Sequence, residues 1–66
     1  MFNINDVVII KSKGVEGTVI DVSVSPSGET KYIVESNKKG SFPGAYGGDW
    51  ALFDCVDSDL TLVTVD

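Results

Sequence analysis

Apolar residues along this chain come in short runs and two-residue alternations, broken by glycine, proline, serine and aspartate. That spacing predicts strands, because successive side chains of an extended backbone point to opposite faces of a sheet. No segment of about ten residues carries apolar positions at helical spacing without a glycine or polar break, so no helix is expected. The first strand is predicted over residues 6–11, where Val7, Val8, Ile9 and Ile10 are apolar on both faces. Such a strand suits a barrel whose outer face is partly covered by a loop. A loop over 12–17 follows, with Gly14 and Gly17 available for positive φ. In a second strand over 18–25, Ile20, Val22 and Val24 alternate with Asp21, Ser23 and Ser25, a half-buried pattern. Val19 falls off that register, which predicts a bulge near the strand's start.

Ser25-Pro26-Ser27-Gly28 reads as a turn, with proline pre-set for its second position and glycine supplying φ > 0. The chain then returns as a third strand over 30–36, Tyr32 and Val34 facing one way and Ile33 the other. Residues 37–49 form a 13-residue loop, and a fourth strand is predicted over 50–55. Residues 54–59 make a tight turn with a single turn of 3₁₀ helix before a fifth strand over 60–65. Five short strands with one bulge and one long loop predict an all-β fold, a five-stranded, partly open small barrel forming a single domain over 1–66.

Gly14-Val15-Glu16-Gly17-Thr18-Val19-Ile20-Asp21-Val22, following the apolar run Val7-Val8-Ile9-Ile10, resembles a KOW-type motif of the SH3-like barrel class. Asp59-Leu60-Thr61-Leu62-Val63 resembles the polar turn and final strand of such modules. The strand pattern, with its long loop after the third strand, is also similar to the small barrel subunit of photosystem I. The resemblance implies a five-stranded SH3-like barrel. KOW modules that bind nucleic acid tend to be basic, whereas this chain is acidic and has no arginine. The resemblance therefore carries the fold and not the ribonucleoprotein role.

At 66 residues the chain is near the lower limit at which a hydrophobic core stabilises a fold without staples. One cysteine and no histidine exclude an intrachain disulfide and the usual zinc ligand sets. A lone thiol fits a reducing cytoplasm. The first residues lack a basic and then apolar leader pattern, and no apolar run approaches the ~20 residues of a membrane span, so no membrane partner is expected. The net charge of −5 is uneven. Residues 1–48 balance five lysines against five acids, while residues 49–66 hold five aspartates and no base. Without arginine, bidentate readout of phosphate or guanine is absent.

Catalysis is the first class this composition argues against, since no Ser-His or Cys-His pair exists; neither an enzyme nor a cofactor is expected. Cys55 lies in a predicted strand beside Phe53, and its neighbours Asp54 and Asp57 are the opposite of the electropositive setting of a reactive thiol. Asp57-Ser58-Asp59 begins like a calcium loop, but Leu60-Thr61-Leu62 replaces the glycine and the oxygen ligands, so turn chemistry rather than a metal explains it. Lys38-Lys39-Gly40-Ser41 lacks the leading glycine and following helix of a phosphate loop.

Two constellations remain. Phe42, Tyr46 and Trp50 sit among glycines in the long loop and make adaptable anchors for a protein partner, although Phe42 and Trp50 also suit a cap over the barrel's open end. The acidic residues Asp54, Asp57, Asp59 and Asp66 would dock on a basic partner or imitate phosphates to block one. The expectation is a small non-enzymatic accessory or regulatory module, of bacterial or phage origin by its compactness, that binds another protein. One alternative is a KOW-like RNA- or DNA-binding module in which Lys11, Lys13, Lys38 and Lys39 converge on one rim. Another is a structural subunit of a larger assembly.

Overall fold

The computed structural model describes residues 2–40 and 45–63. It is all-β: five antiparallel strands, β1 (Val7–Ile10), β2 (Val15–Val24), β3 (Thr30–Ser36), β4 (Leu52–Val56) and β5 (Leu60–Leu62), with a 3₁₀ turn at Asp57–Asp59. The strand order is β4-β3-β2-β1-β5. β1 is thus flanked by β2 and β5, while β4 and β5 are the two ends of the sheet. The five strands form an antiparallel sheet left open between its end strands, an arrangement consistent with the expected SH3-like fold.

β2 explains how ten residues wrap this sheet. Residues 15–18 pair with β1 and residues 17–24 with β3, and the register slips between Val19 and Asp21. The extra residue is Ile20, so the alternation reverses there. The predicted bulge is present, but its residues exchange roles. Val19 is fully buried in the core, whereas Ile20 and Val24 are 40% and 66% exposed. The Ile20-Val22-Val24 alternation followed the longer run of matches and missed that the buried face changes phase at the bulge.

The strand also starts three residues earlier than expected, at Val15. Gly14 takes φ +65° and closes the β1–β2 turn, with its N–H donating to the Ile10 carbonyl at 2.8 Å. Gly17 does not have positive φ; it is an ordinary strand residue lying hard against β3. A Cβ there would stand 2.5 Å from the Glu35 carbonyl and 2.6 Å from Val34 Cγ1. Its role is close backbone approach rather than turn geometry.

Val8, Ile10, Val19, Tyr32, Val34, Ala51, Phe53, Cys55 and Leu60 form the core, packed against Phe2, Val15, Val22 and Ala45. The expected faces of β3 hold: Tyr32 and Val34 are buried and Ile33 is half-buried. Val7 and Ile9 are half-buried on the outer side of β1, as a doubly apolar strand requires. The β2–β3 hairpin closes through Gly28 N–H to the Ser25 carbonyl (2.8 Å), with Gly28 at φ +88°. Fully burying each large apolar side chain contributes roughly 1.5–3 kcal/mol, which nine core residues need to offset chain entropy in so short a domain.

Candidate interaction surface

The segment expected to be a loop up to residue 49 is partly built. Tyr46 N–H donates to the Leu52 carbonyl at 3.1 Å, and Leu52 N–H donates back at 2.6 Å. Gly40 and Trp50 form a further bridge. The Tyr46–Leu52 turn depends on Gly47, which takes φ +101° and whose Cβ would stand 3.0 Å from the Trp50 carbonyl. β4 proper therefore begins at Leu52, two residues later than expected, because the backbone before it turns back on itself.

Alternation along this stretch sorts the side chains. Ala51, Phe53 and Cys55 are buried, which turns Leu52, Asp54 and Val56 to the outer face of β4. Tyr46 lies beside Leu52, and its hydroxyl donates to Asp54 Oδ1 at 3.0 Å. That bond, which favours the neutral phenol beside the carboxylate, raises the Tyr46 pKa above the ordinary 10. From β3, register places Ile33 opposite Asp54, Glu35 opposite Leu52 and Lys31 opposite Val56. Tyr46 and Trp50 are 48% and 45% exposed. Trp50 thus stands at the surface. Ile33, Leu52 and Val56 were not singled out from the sequence, although their alternation with Tyr32, Phe53 and Cys55 carries the signal.

The acidic residues divide. Asp54 faces solvent on this surface. Asp57 Oδ2 accepts the hydroxyl of buried Tyr32 at 3.0 Å, and the Tyr32 oxygen in turn accepts Phe2 N–H at 3.2 Å. Asp59 accepts Ser12 N–H at 2.9 Å and Ser12 Oγ–H at 2.6 Å, tying the 3₁₀ turn to the β1–β2 turn. Phe42 and Asp66 lie outside the described residues.

The lysines are scattered among acids. A cleft of about 350 Å³ lies between the β1–β2 turn and the start of the β3–β4 connection, lined by Gly14, Val15, Glu16, Ser36, Asn37 and Lys38. The two loops are neighbours, as convergence of the lysines requires. Glu16, however, lies inside the cleft and accepts Asn37 Nδ2–H at 3.3 Å, while Asn37 Oδ1 accepts the Thr18 hydroxyl at 2.9 Å. Lys39 pairs with Asp49 at 3.8 Å, and Lys13 Nζ stands 5.8 Å from the Phe53 ring centroid. Lys11 is exposed beyond the end of β1.

Cys55 is buried, and its thiol pKa is pushed up to about 11 by burial and by the Asp59 and Asp54 carboxylates, against the pull of Lys13. Among the described residues no three Asp, Glu or Cys side chains are grouped to hold a metal ion, and no helix is long and apolar enough to cross a membrane. No family model, curated protein or solved structure matches the chain.

Proposed function

We propose that this chain is a non-enzymatic interaction module that binds a protein partner through the outer face of β3 and β4. The observation carrying this reading is that two aromatics, Tyr46 and Trp50, stand exposed on a glycine-dependent turn, Tyr46 bridged to Leu52 on the face where register also sets Ile33 and Val56. Aromatic side chains on a fixed turn present large contact area at little entropic cost. The acidic contribution to such an interface narrows to Asp54, since Asp57 and Asp59 already hold the fold together. The buried, unreactive thiol fits a regulatory module working in a reducing cytoplasm.

The KOW-like nucleic-acid reading draws support from the neighbouring loops that carry Lys13 and Lys38. Glu16 and Asp49 set carboxylates among those lysines, which weakens the local field a phosphate backbone needs and favours a protein partner. The two readings separate in one capture experiment. A Tyr46→Ala/Trp50→Ala chain with unchanged thermal midpoint loses the proteins that wild type retains, while a Lys11, Lys13, Lys38, Lys39→Gln chain keeps them. Equal capture by wild type and the aromatic variant would sink the proposal. Salt-reversed amide shifts at the four lysines on adding oligonucleotides would replace it with the nucleic-acid reading.

A further inference from the structure

The chemistry of β4's outer edge narrows the partner. Phe53 and Cys55 are paired to β3 in register with Val34 and Tyr32, and Ala51 accepts Ser36 N–H at 2.8 Å. The alternate residues turn their backbone groups the other way. Leu52 spends its N–H and C=O on Tyr46. Asp54 and Val56 come next on that side, and among the described residues no hydrogen bond meets their amides there. A strand with unpaired amides is a template for another strand. The Tyr46–Leu52 turn bounds this vacancy at one end and the 3₁₀ turn Asp57–Asp59 at the other. Only about four residues of extended chain fit between, roughly 13 Å at the strand rise.

Charge selects what fills it. Register places Asp21, Glu35 and Asp54 on the outer face of β2, β3 and β4, against Lys31 as the opposing cation. A second copy pairing its own β4 here would bring Asp54 towards Asp54, a like-charge contact that costs stability. A cationic side chain on an added strand meets the Asp54 carboxylate and the Tyr46 ring whose hydroxyl bonds it, where carboxylate and ring attraction act together.

We propose that a short, extended, lysine- or arginine-bearing segment of a partner protein adds to the β4 edge at Asp54 and Val56, with Tyr46 as its aromatic flank. The inference rests on the outer-face reading above and specifies its partner.

The test uses the full ¹⁵N-labelled chain and a capped peptide of alternating lysine and valine. In the free protein the Asp54 and Val56 amides exchange fast with solvent. On adding the peptide they slow by about tenfold or more, with shifts at Tyr46. Asp54→Lys, a surface change, weakens the peptide by about tenfold, in the range of a close charge pair, without moving the thermal midpoint. Asp54 and Val56 amides already protected in the free monomer would mean the chain covers its own edge, and protection with dimerisation would mean a second copy does; either overturns the proposal. So does an absence of shifts at these residues with millimolar peptide. A glutamate-for-lysine peptide that binds equally would overturn the cationic partner. A backbone N-methylated peptide that binds equally would overturn edge addition while leaving the aromatic face as the binding surface.

Discussion

Two parts of the acidic final third are built to opposite ends. Around the 3₁₀ turn, carboxylates are consumed: Asp57 serves the buried Tyr32 hydroxyl and Asp59 takes both donors of Ser12. On the outer face of β4, a few residues earlier in the chain, Asp54 bonds the exposed Tyr46 hydroxyl, and among the described residues nothing meets the edge amides beside it. A run of aspartates that looks uniform in the sequence is therefore a fastening at one end and an available surface at the other. Charge count alone does not distinguish them. What distinguishes them is whether a donor from a distant segment arrives at the carboxylate.

The sharpest way to break this contrast is to exchange an inward for an outward aromatic. Phe53→Ala empties the core position that Lys13 covers and costs about 3–5 kcal/mol, comparable to the whole stability of a domain this small. Its circular dichroism should show no cooperative thermal transition. Trp50→Ala should move the midpoint far less, because the indole is half in water. Equal losses would mean that Trp50 belongs to the core and not to a surface. Next in size is Gly17→Ala. Its methyl meets the β3 backbone at 2.5 Å, so about 1–3 kcal/mol is lost by urea unfolding. Gly14→Ala meets nothing within 4 Å and pays only for its positive φ, about 1 kcal/mol. Asp59→Ala removes both bonds to Ser12 and costs about 1–2 kcal/mol, while Asp54→Ala stays within about 0.5 kcal/mol.

Most of the barrel was legible because local period and turn chemistry agree with the tertiary result. The β2–β3 hairpin needed only Pro26, Gly28 and the alternation around Tyr32. β2 was harder, for a physical reason: at a bulge the buried set changes phase. Val19 before Ile20 and Val22 after it face the same core, although no single alternation contains both. Gly17 was misread because a glycine required by a neighbouring backbone has the same letter as one required by φ. The aromatic candidates Tyr46 and Trp50 were visible from their glycine setting. Their neighbours Ile33, Leu52 and Val56, and the distinct tasks of Asp54, Asp57 and Asp59, depend on pairing across strands far apart in sequence. Such contacts leave no local mark.

Titration probes the same contrast from inside and outside. The thiol of Cys55 is held neutral in the fold, with its pKa raised from 9 to about 11. The unfolded chain gives up that proton first, so the contribution is complete below pH 9 and is lost as pH rises towards 11. Unfolding free energy should decline across that window in wild type and decline less in Cys55→Ala. Alkylation of native protein near neutral pH should be slow until unfolding exposes the sulfur. A thiol that labels rapidly in the folded state would put Cys55 at the surface and reverse the assignment.

The smallest effect is the most local. Tyr46 titrates above its ordinary range because its proton is held by Asp54 and because ionisation would set a phenolate beside a carboxylate. Asp54→Asn removes the negative charge while leaving an oxygen that can still accept the hydroxyl. The Tyr46 midpoint, followed by the ring carbon bearing oxygen in NMR, should therefore fall towards 10 with no change in the unfolding transition. Asp57→Asn, on the far side of the sheet, should leave that midpoint where it is. If Asp54→Asn also lowers stability, Asp54 is a fastening like Asp57 and Asp59, and the carboxylate at the β4 edge no longer argues for a cationic partner.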